Sequence, residues 1–238
     1  MRRPTRTKPQ KAAWSPEVAR GMMVLGLRQS SVLTIRRALS QGADPNTLCE
    51  PGASPTVGCT PLMRALDGQG RQARRYHVVK FLLQAGADPN RVGVGRLTAM
   101  HAAAARGSAG ILLLLLANGG ALEPQSIEGR TPLHLAVMAG SRDCVDLLLT
   151  RGADPWFQDT SGGTAVEFAI QLEKAYGLGI LDSVLACCVA PDLKRWRAVL
   201  DLAAHCSPQL RIKIVIWASK QDAASPRPNT LHQGGKPI

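Results

Sequence analysis

The sequence predicts an all-α solenoid of about five helix-turn-helix units with protruding loops, and three observations carry that prediction. Thr98, Thr131 and Thr164 lie 33 residues apart, and Gly86, Gly119 and Gly152 keep the same step. Between these markers apolar residues recur twice at helical spacing, as Leu133, Leu135, Ala136 and Val137 and then as Val145, Leu147, Leu148 and Leu149. A helix pair this short buries one side only and is unstable alone, so it needs neighbours of its own kind, which a fixed period supplies.

The unit at 124–156 is the most regular. Thr131 can cap a helix through its hydroxyl, Pro132 suits the first helical position, and Gly140 can end the helix in the left-handed conformation. A second helix follows and stops at Gly152, after which Asp154 and Pro155 lead into an extended turn.

The other units are read against it. In 15–46, Ser15, Pro16 and Glu17 form a helix start, Val18 to Arg28 and Val32 to Ser40 form two helical segments, and GADPN closes the unit. An atypical first unit is expected, because its outer face meets water. In 47–90 the period fails in two places. Gly42 to Thr60 spans 18 residues where later loops take 12, and Thr60 to Gly86 spans 26 where regular units take 21. The extra residues fall in NTLCEPGASPTVGC and in DGQGRQARRYH, the second being expected as a loop between paired helices. The unit at 91–123 has Ala99 in place of the proline and a first helix of almost pure alanine. The unit at 157–190 opens with GGTAVEFAIQLE, has Glu167 where earlier units have His, and closes on an irregular second helix.

Residues 191–218 are expected to form a helical extension, from the spacing of Leu193, Trp196, Val199, Leu200 and Ala203. The run Ile212, Ile214, Val215, Ile216 and Trp217 reads either as a capping element or as the tail of a truncated product. Residues 1–14 read as a disordered basic arm and 219–238 as a disordered tail.

TPLHLAVMAG at 131–140, TPLMRAL at 60–66, and GADPN at 42–46 and 86–90 resemble the ankyrin repeat, and the resemblance covers roughly residues 15 to 190. It implies a non-catalytic scaffold or adaptor that binds a partner protein. In that family the partner lies along the concave side, touching loop tips and the exposed edge of each first helix. Carried onto this chain, the resemblance implies a protein-binding face made of Val94, Leu97, Arg106, Ile127, Glu128, Arg130, Met138, Thr160, Ser161 and Gln171, with Arg130 and Met138 as anchors. It also gives His101 and His134 a structural role, hydrogen-bonding within and between repeats.

Composition narrows the alternatives. A hydrophobic fraction of 45% suffices for a core, and the six cysteines show neither a CxxC pair nor a disulfide framework, so they read as reduced thiols in an intracellular, cytoplasmic or nuclear protein. Cys49 and Cys59 have no His or Cys pair beside them to complete a zinc site. The basic N-terminus lacks the apolar core of a secretory signal, and the run Ile111 to Ala117 falls far short of the ~20 residues that span a bilayer. A soluble monomer without cofactor or metal is expected. No GxSxG, HExxH, P-loop or EF-hand pattern occurs, and Asp44, Asp88 and Asp154 repeat at equivalent positions as turn residues do.

Two further readings concern the irregular parts. The net charge of +12 permits an acidic partner, nucleic acid or an anionic membrane, and the second insertion clusters Arg71, Arg74, Arg75 and Tyr76 as a basic loop. In the tail, Leu202, Cys206 and Leu210 follow Leu-x-x-x-Cys-x-x-x-Leu, which resembles the elongin-binding start of a SOCS box and implies a ubiquitin-ligase adaptor. Pro208 and Asp201 depart from that pattern.

Overall fold

Helix pairs line up in two layers. The computed structural model describes residues 14–49, 58–67, 72–176, 179–187, 199–201, 204 and 207–224. The first helices of the pairs are α1 (Pro16–Arg28), α3 (Pro61–Asp67), α5 (Ala99–Ala105), α7 (Pro132–Met138) and α9 (Ala165–Tyr176). Their partners are α2 (Val32–Ser40), α4 (Gln72–Gln84), α6 (Ala109–Ala117), α8 (Arg142–Thr150) and α10 (Ile180–Cys187). Each helix packs on its partner and on its neighbours in the same layer, which is the predicted all-α solenoid. Leu27, Leu62, Leu66, Leu82, Met100, Leu112, Leu133, Leu148 and Ile170 run through one continuous core. Each such side chain contributes about 1.5–3 kcal/mol by leaving water.

Seven-residue helices such as α5 and α7 need more than burial, because most of their backbone groups are terminal. Thr98 and Thr131 supply part of the answer together with the histidines three residues on. The Thr98 N–H donates to His101 Nδ1 at 3.1 Å, and the Thr131 N–H donates to His134 Nδ1 at 3.2 Å. Nδ1 is thereby an acceptor, so Nε2 carries the proton, and in His101 it donates to the carbonyl of Arg130 in the next unit at 3.0 Å. His134 Nε2 makes no such hydrogen bond; its ring lies edge-on to Phe168, centroids 5.8 Å apart. In the last unit Glu167 performs the same cap, accepting from the Thr164 N–H at 2.9 Å.

The asparagine of GADPN fastens successive units. Asn46 donates to Gly86 O at 3.0 Å and accepts from the Asp88 N–H at 2.7 Å. Asn90 donates to Gly119 O at 2.8 Å and accepts from the Ala121 N–H at 2.7 Å. Glu123 holds the equivalent position in the next unit and makes one such bond, accepting from the Asp154 N–H at 2.6 Å.

Three expectations are corrected. The second insertion is largely helix: α4 begins at Gln72 and runs 13 residues where α2, α6 and α8 run 9, so Arg74, Arg75 and Tyr76 sit on a helix and not in a loop. Gln, Ala and Arg are good helix formers, and they extend the helix toward its N-terminus. The tail expected as disordered from Ser219 is helical as far as Ala224, in α11 (Pro208–Ala224). Pro208 takes the first turn, the Leu210 N–H donates to Ser207 Oγ at 3.5 Å, and Leu210 and Ile214 are buried. Lys213 ties α11 to α10 through Asp182 at 2.6 Å. Trp14, assigned to the basic arm, instead donates its backbone N–H to Gln41 Oε1 at 3.3 Å and lies under the Arg37 guanidinium, 5.2 Å from its ring centroid. The rest of the arm, residues 50–57 of the first insertion, and the end of the tail lie outside the described residues.

Burial lowers the pKa of both His101 and His134 from their ordinary value of 6.5. The unfolded chain therefore binds more protons in the acid range. Their contribution is complete above the unfolded value and is lost as pH falls through 6.5 toward the lower folded value. Thermal midpoints are expected to drop between about pH 7.5 and pH 5.5. The double substitution His101→Gln and His134→Gln should lower the midpoint at neutral pH and flatten that dependence. An unchanged slope would place the titration elsewhere.

Candidate functional site

The loops between units end in tips built on one plan. A residue at the base of each turn donates its N–H to the carbonyl four residues on: Gly93 to Leu97 at 2.8 Å, Ser126 to Arg130 at 3.0 Å and Asp159 to Gly163 at 2.9 Å. Two of these base residues also brace the turn with their side chains. Ser126 Oγ accepts from the N–H groups of Glu128 and Arg130, both at 3.2 Å. Asp159 Oδ1 accepts from the N–H groups of Ser161 and Gly163, both at 2.9 Å, and from the Ser161 hydroxyl at 2.6 Å. Burial alone would raise the Asp159 pKa, but these bonds and nearby His134 outweigh it and hold the carboxyl below its usual range.

The tips are laced to one another. Val94 N–H donates to Gly58 O at 3.2 Å, Ile127 N–H to Gly95 O at 2.7 Å, and Thr160 N–H to Glu128 O at 3.0 Å. The Thr160 hydroxyl reinforces the last bond at 3.0 Å. Val94, Ile127 and Thr160 are therefore in register, one per unit, on an edge with a fixed backbone. Close lacing needs glycine: at Gly129, with φ +70°, a Cβ would stand 2.8 Å from the Thr160 nitrogen.

The ten residues implied by the resemblance divide into three groups. Val94 and Ile127 project apolar side chains that are 59% and 71% exposed, and Met138, at the end of α7, is 43% exposed. Thr160, Ser161 and Gln171 are also exposed, with Gln171 at the position in α9 that Met138 holds in α7. Glu128, Arg130 and Arg106 are engaged within the chain. Arg130 reaches Glu128 at 2.6 Å and Asp159 at 3.6 Å with its side chain only 29% exposed, while Arg106 pairs with Asp67. Leu97 is half-buried against the core. Arg130 thus serves as a brace between tips, and the outward-facing apolar groups are Val94, Ile127 and Met138.

Sequence reasoning missed Ser126, Asp159 and Arg96. The period held the signal for the first two, since they lie 33 residues apart at the foot of equivalent turns. Arg96 holds φ +56°, where Gly129 and Gly162 occupy the equivalent positions. A non-glycine residue in the left-handed region costs about 1–2 kcal/mol.

The remaining candidates fall elsewhere. Arg71 lies outside the described residues; Arg74 is exposed, and Arg75 and Tyr76 are half-buried on α4. Leu202 and Cys206 lie outside the described residues, and Leu210 is buried in the chain's own core. Cys49 and Cys59 face one another across an isolated antiparallel bridge, both buried, and burial pushes the Cys49 thiol up to about 11. Among the described residues no cluster of three or more metal-ligating side chains occurs. No helix among them is long and apolar enough to cross a membrane.

Residues 71–159 match the family model described as ankyrin repeats, in three copies. The chain is similar to inversin of Gallus gallus, 42% identical over 92 residues, which are 39% of this chain and 8% of that protein. It is 30% identical over 157 residues to the E3 ubiquitin-protein ligase KEG of Arabidopsis thaliana, covering 65% of this chain and 9% of KEG. With the nuclear factor NF-kappa-B p105 subunit of Gallus gallus it shares 35% identity over 112 residues, 45% of this chain and 11% of that one. The chain spans about a tenth of the length of these curated relatives.

Replacing Arg96 by Gly is expected to stabilise the chain by about 1 kcal/mol, read as a higher urea midpoint at unchanged slope. A lower midpoint would mean that the arginine side chain holds the tip in some further way.

Proposed function

We propose that this chain, an ankyrin-repeat protein, is a non-catalytic binding module that grips a partner protein with its laced loop tips and the adjoining edge of its first helices. One observation carries the reading: Val94 and Ile127 hold large aliphatic side chains in water on tips whose backbones are pinned. Apolar groups exposed on a rigid frame lose little conformational entropy on binding, and they gain the hydrophobic contribution that a pre-collapsed loop would already have spent. Met138 on α7 adds a pliable apolar contact, and Thr160, Ser161 and Gln171 supply a polar rim. Arg130 and Glu128 support the tips through their ion pair.

A ligase-adaptor role draws on the similarity to the E3 ubiquitin-protein ligase KEG, but the match covers 9% of that protein. The burial of Leu210 in the chain's own core also counts against a box that must insert it into a partner.

Proximity labelling in cells with the wild-type chain and with Val94→Ser, Ile127→Ser should define the partner as the protein whose labelling the double variant loses. Both positions are exposed, so the variant should keep the wild-type melting temperature. A labelled set identical for the two chains would remove the tips from the binding surface.

A further inference from the structure

The outer layer of second helices carries a charge pattern that partner binding at the tips does not use. Arg36 on α2, Lys80 on α4, Leu113 on α6 and Asp146 on α8 occupy one equivalent position, six residues before Gly42, Gly86, Gly119 and Gly152, and all four are exposed. Along the array this row therefore passes from cationic to apolar to anionic. At the cationic end α2 adds Arg37 and α4 adds Arg74 and His77, all exposed, and neither helix contains an acidic residue. Asp44, which follows α2, is turned into its own loop by the Asn46 N–H at 2.9 Å and the Thr47 hydroxyl at 3.0 Å. Arg36, Arg37, Arg74 and Lys80 pair with no carboxylate among the described residues.

Two of these cations are held in place. The Arg36 guanidinium stacks over Phe81 at 5.4 Å, and that of Arg37 over Trp14 at 5.2 Å. A ring beneath each guanidinium limits its motion, and neither has a carboxylate partner among the described residues. Beside them Leu33 is 76% exposed, and Leu113 also stands in water. The sequence before Trp14 carries Arg2, Arg3, Arg6, Lys8 and Lys11 and no acidic residue.

We propose that the outer face of the first two units, centred on Arg36, Arg37 and Lys80 with Leu33 as an apolar plug, docks the protein peripherally on an anionic lipid surface. Each Lys or Arg near an anionic bilayer strengthens binding roughly fivefold, and an exposed leucine among them enters the interface where a phosphate-only ligand would leave it in water. Single-stranded nucleic acid fits less well, because a guanidinium already covers a face of Trp14 and of Phe81, leaving those faces closed to bases. On α8 the exposed Asp143 and Asp146 stand against one cation, Arg142, which pairs with Asp146 at 3.7 Å, so that end lacks the positive excess of the first two units.

The test is flotation of the full chain with vesicles of phosphatidylcholine alone or with about one third phosphatidylserine, at near-physiological salt. Binding is expected only to the anionic vesicles. Arg36→Glu with Arg37→Glu should weaken it roughly tenfold or more. Leu33→Ser should weaken it severalfold while leaving retention on a heparin column unchanged. Lys80→Glu, which disturbs neither stacked ring, guards against a folding artefact and should also weaken binding, with an unaltered circular-dichroism melt. Equal flotation with neutral vesicles would overturn the proposal, as would wild-type binding by the Leu33→Ser chain. Tighter binding to an oligothymidylate than to the anionic vesicles would assign the face to nucleic acid instead.

Discussion

A seven-residue helix has almost no interior, and the architecture follows from that constraint. In α5 and α7 more than half of the amides and carbonyls are terminal, so the helices persist only where side chains and neighbouring units satisfy those groups. The Thr–His pair does both at once in the third unit. His101 Nδ1 accepts from the Thr98 N–H at its own helix start, and its Nε2–H donates to Arg130 O, 29 residues on. One imidazole thereby caps the start of a helix and joins two units, and its bond to the next unit seats Arg130 at the base of a tip. Local capping, stacking of units and placement of the binding edge are not separable in this chain.

The two surfaces of the array are correspondingly different in kind. The tip edge depends on backbone hydrogen bonds from unit to unit, so its geometry is set by the whole stack, and substituting one tip residue changes what is displayed more than how it is held. The outer layer depends on side chains alone. Because successive helices present equivalent positions, the row Arg36, Lys80, Leu113 and Asp146 could diverge without disturbing the buried face beneath it. The scaffold leaves both surfaces chemically open, and identity resides in them.

Most of the scaffold was legible in the sequence because it rests on short-range chemistry repeated in phase. Thr131, Pro132, His134 and Gly152 each act within a few residues, and a period of 33 multiplies the signal. What was not legible depended on contacts between units. Arg130 reads as a free surface cation until Asp159 of the next unit is brought to 3.6 Å. The insertion before α4 reads as a loop because Gly68 and Gly70 interrupt it, whereas the residues from Gln72 onward lengthen the helix. The apolar run in α11 left a capping element and a truncated tail both open, and the burial of Leu210 and Ile214 in the common core favours the cap.

The exchange of asparagine for glutamate at position 123 has a mechanical consequence. Asn46 and Asn90 each clasp the following turn with a donor and an acceptor, so those joints resist both sliding and opening. Glu123 can only accept, and its flexible carboxylate makes a single bond to the Asp154 amide. The turn between the third and fourth units is thus held by one side-chain bond where the two before it are held by two. Of the three clasps made at this position, that of Glu123 is therefore the one that a single broken hydrogen bond releases, with the His101 bond to Arg130 left to hold the same two units together.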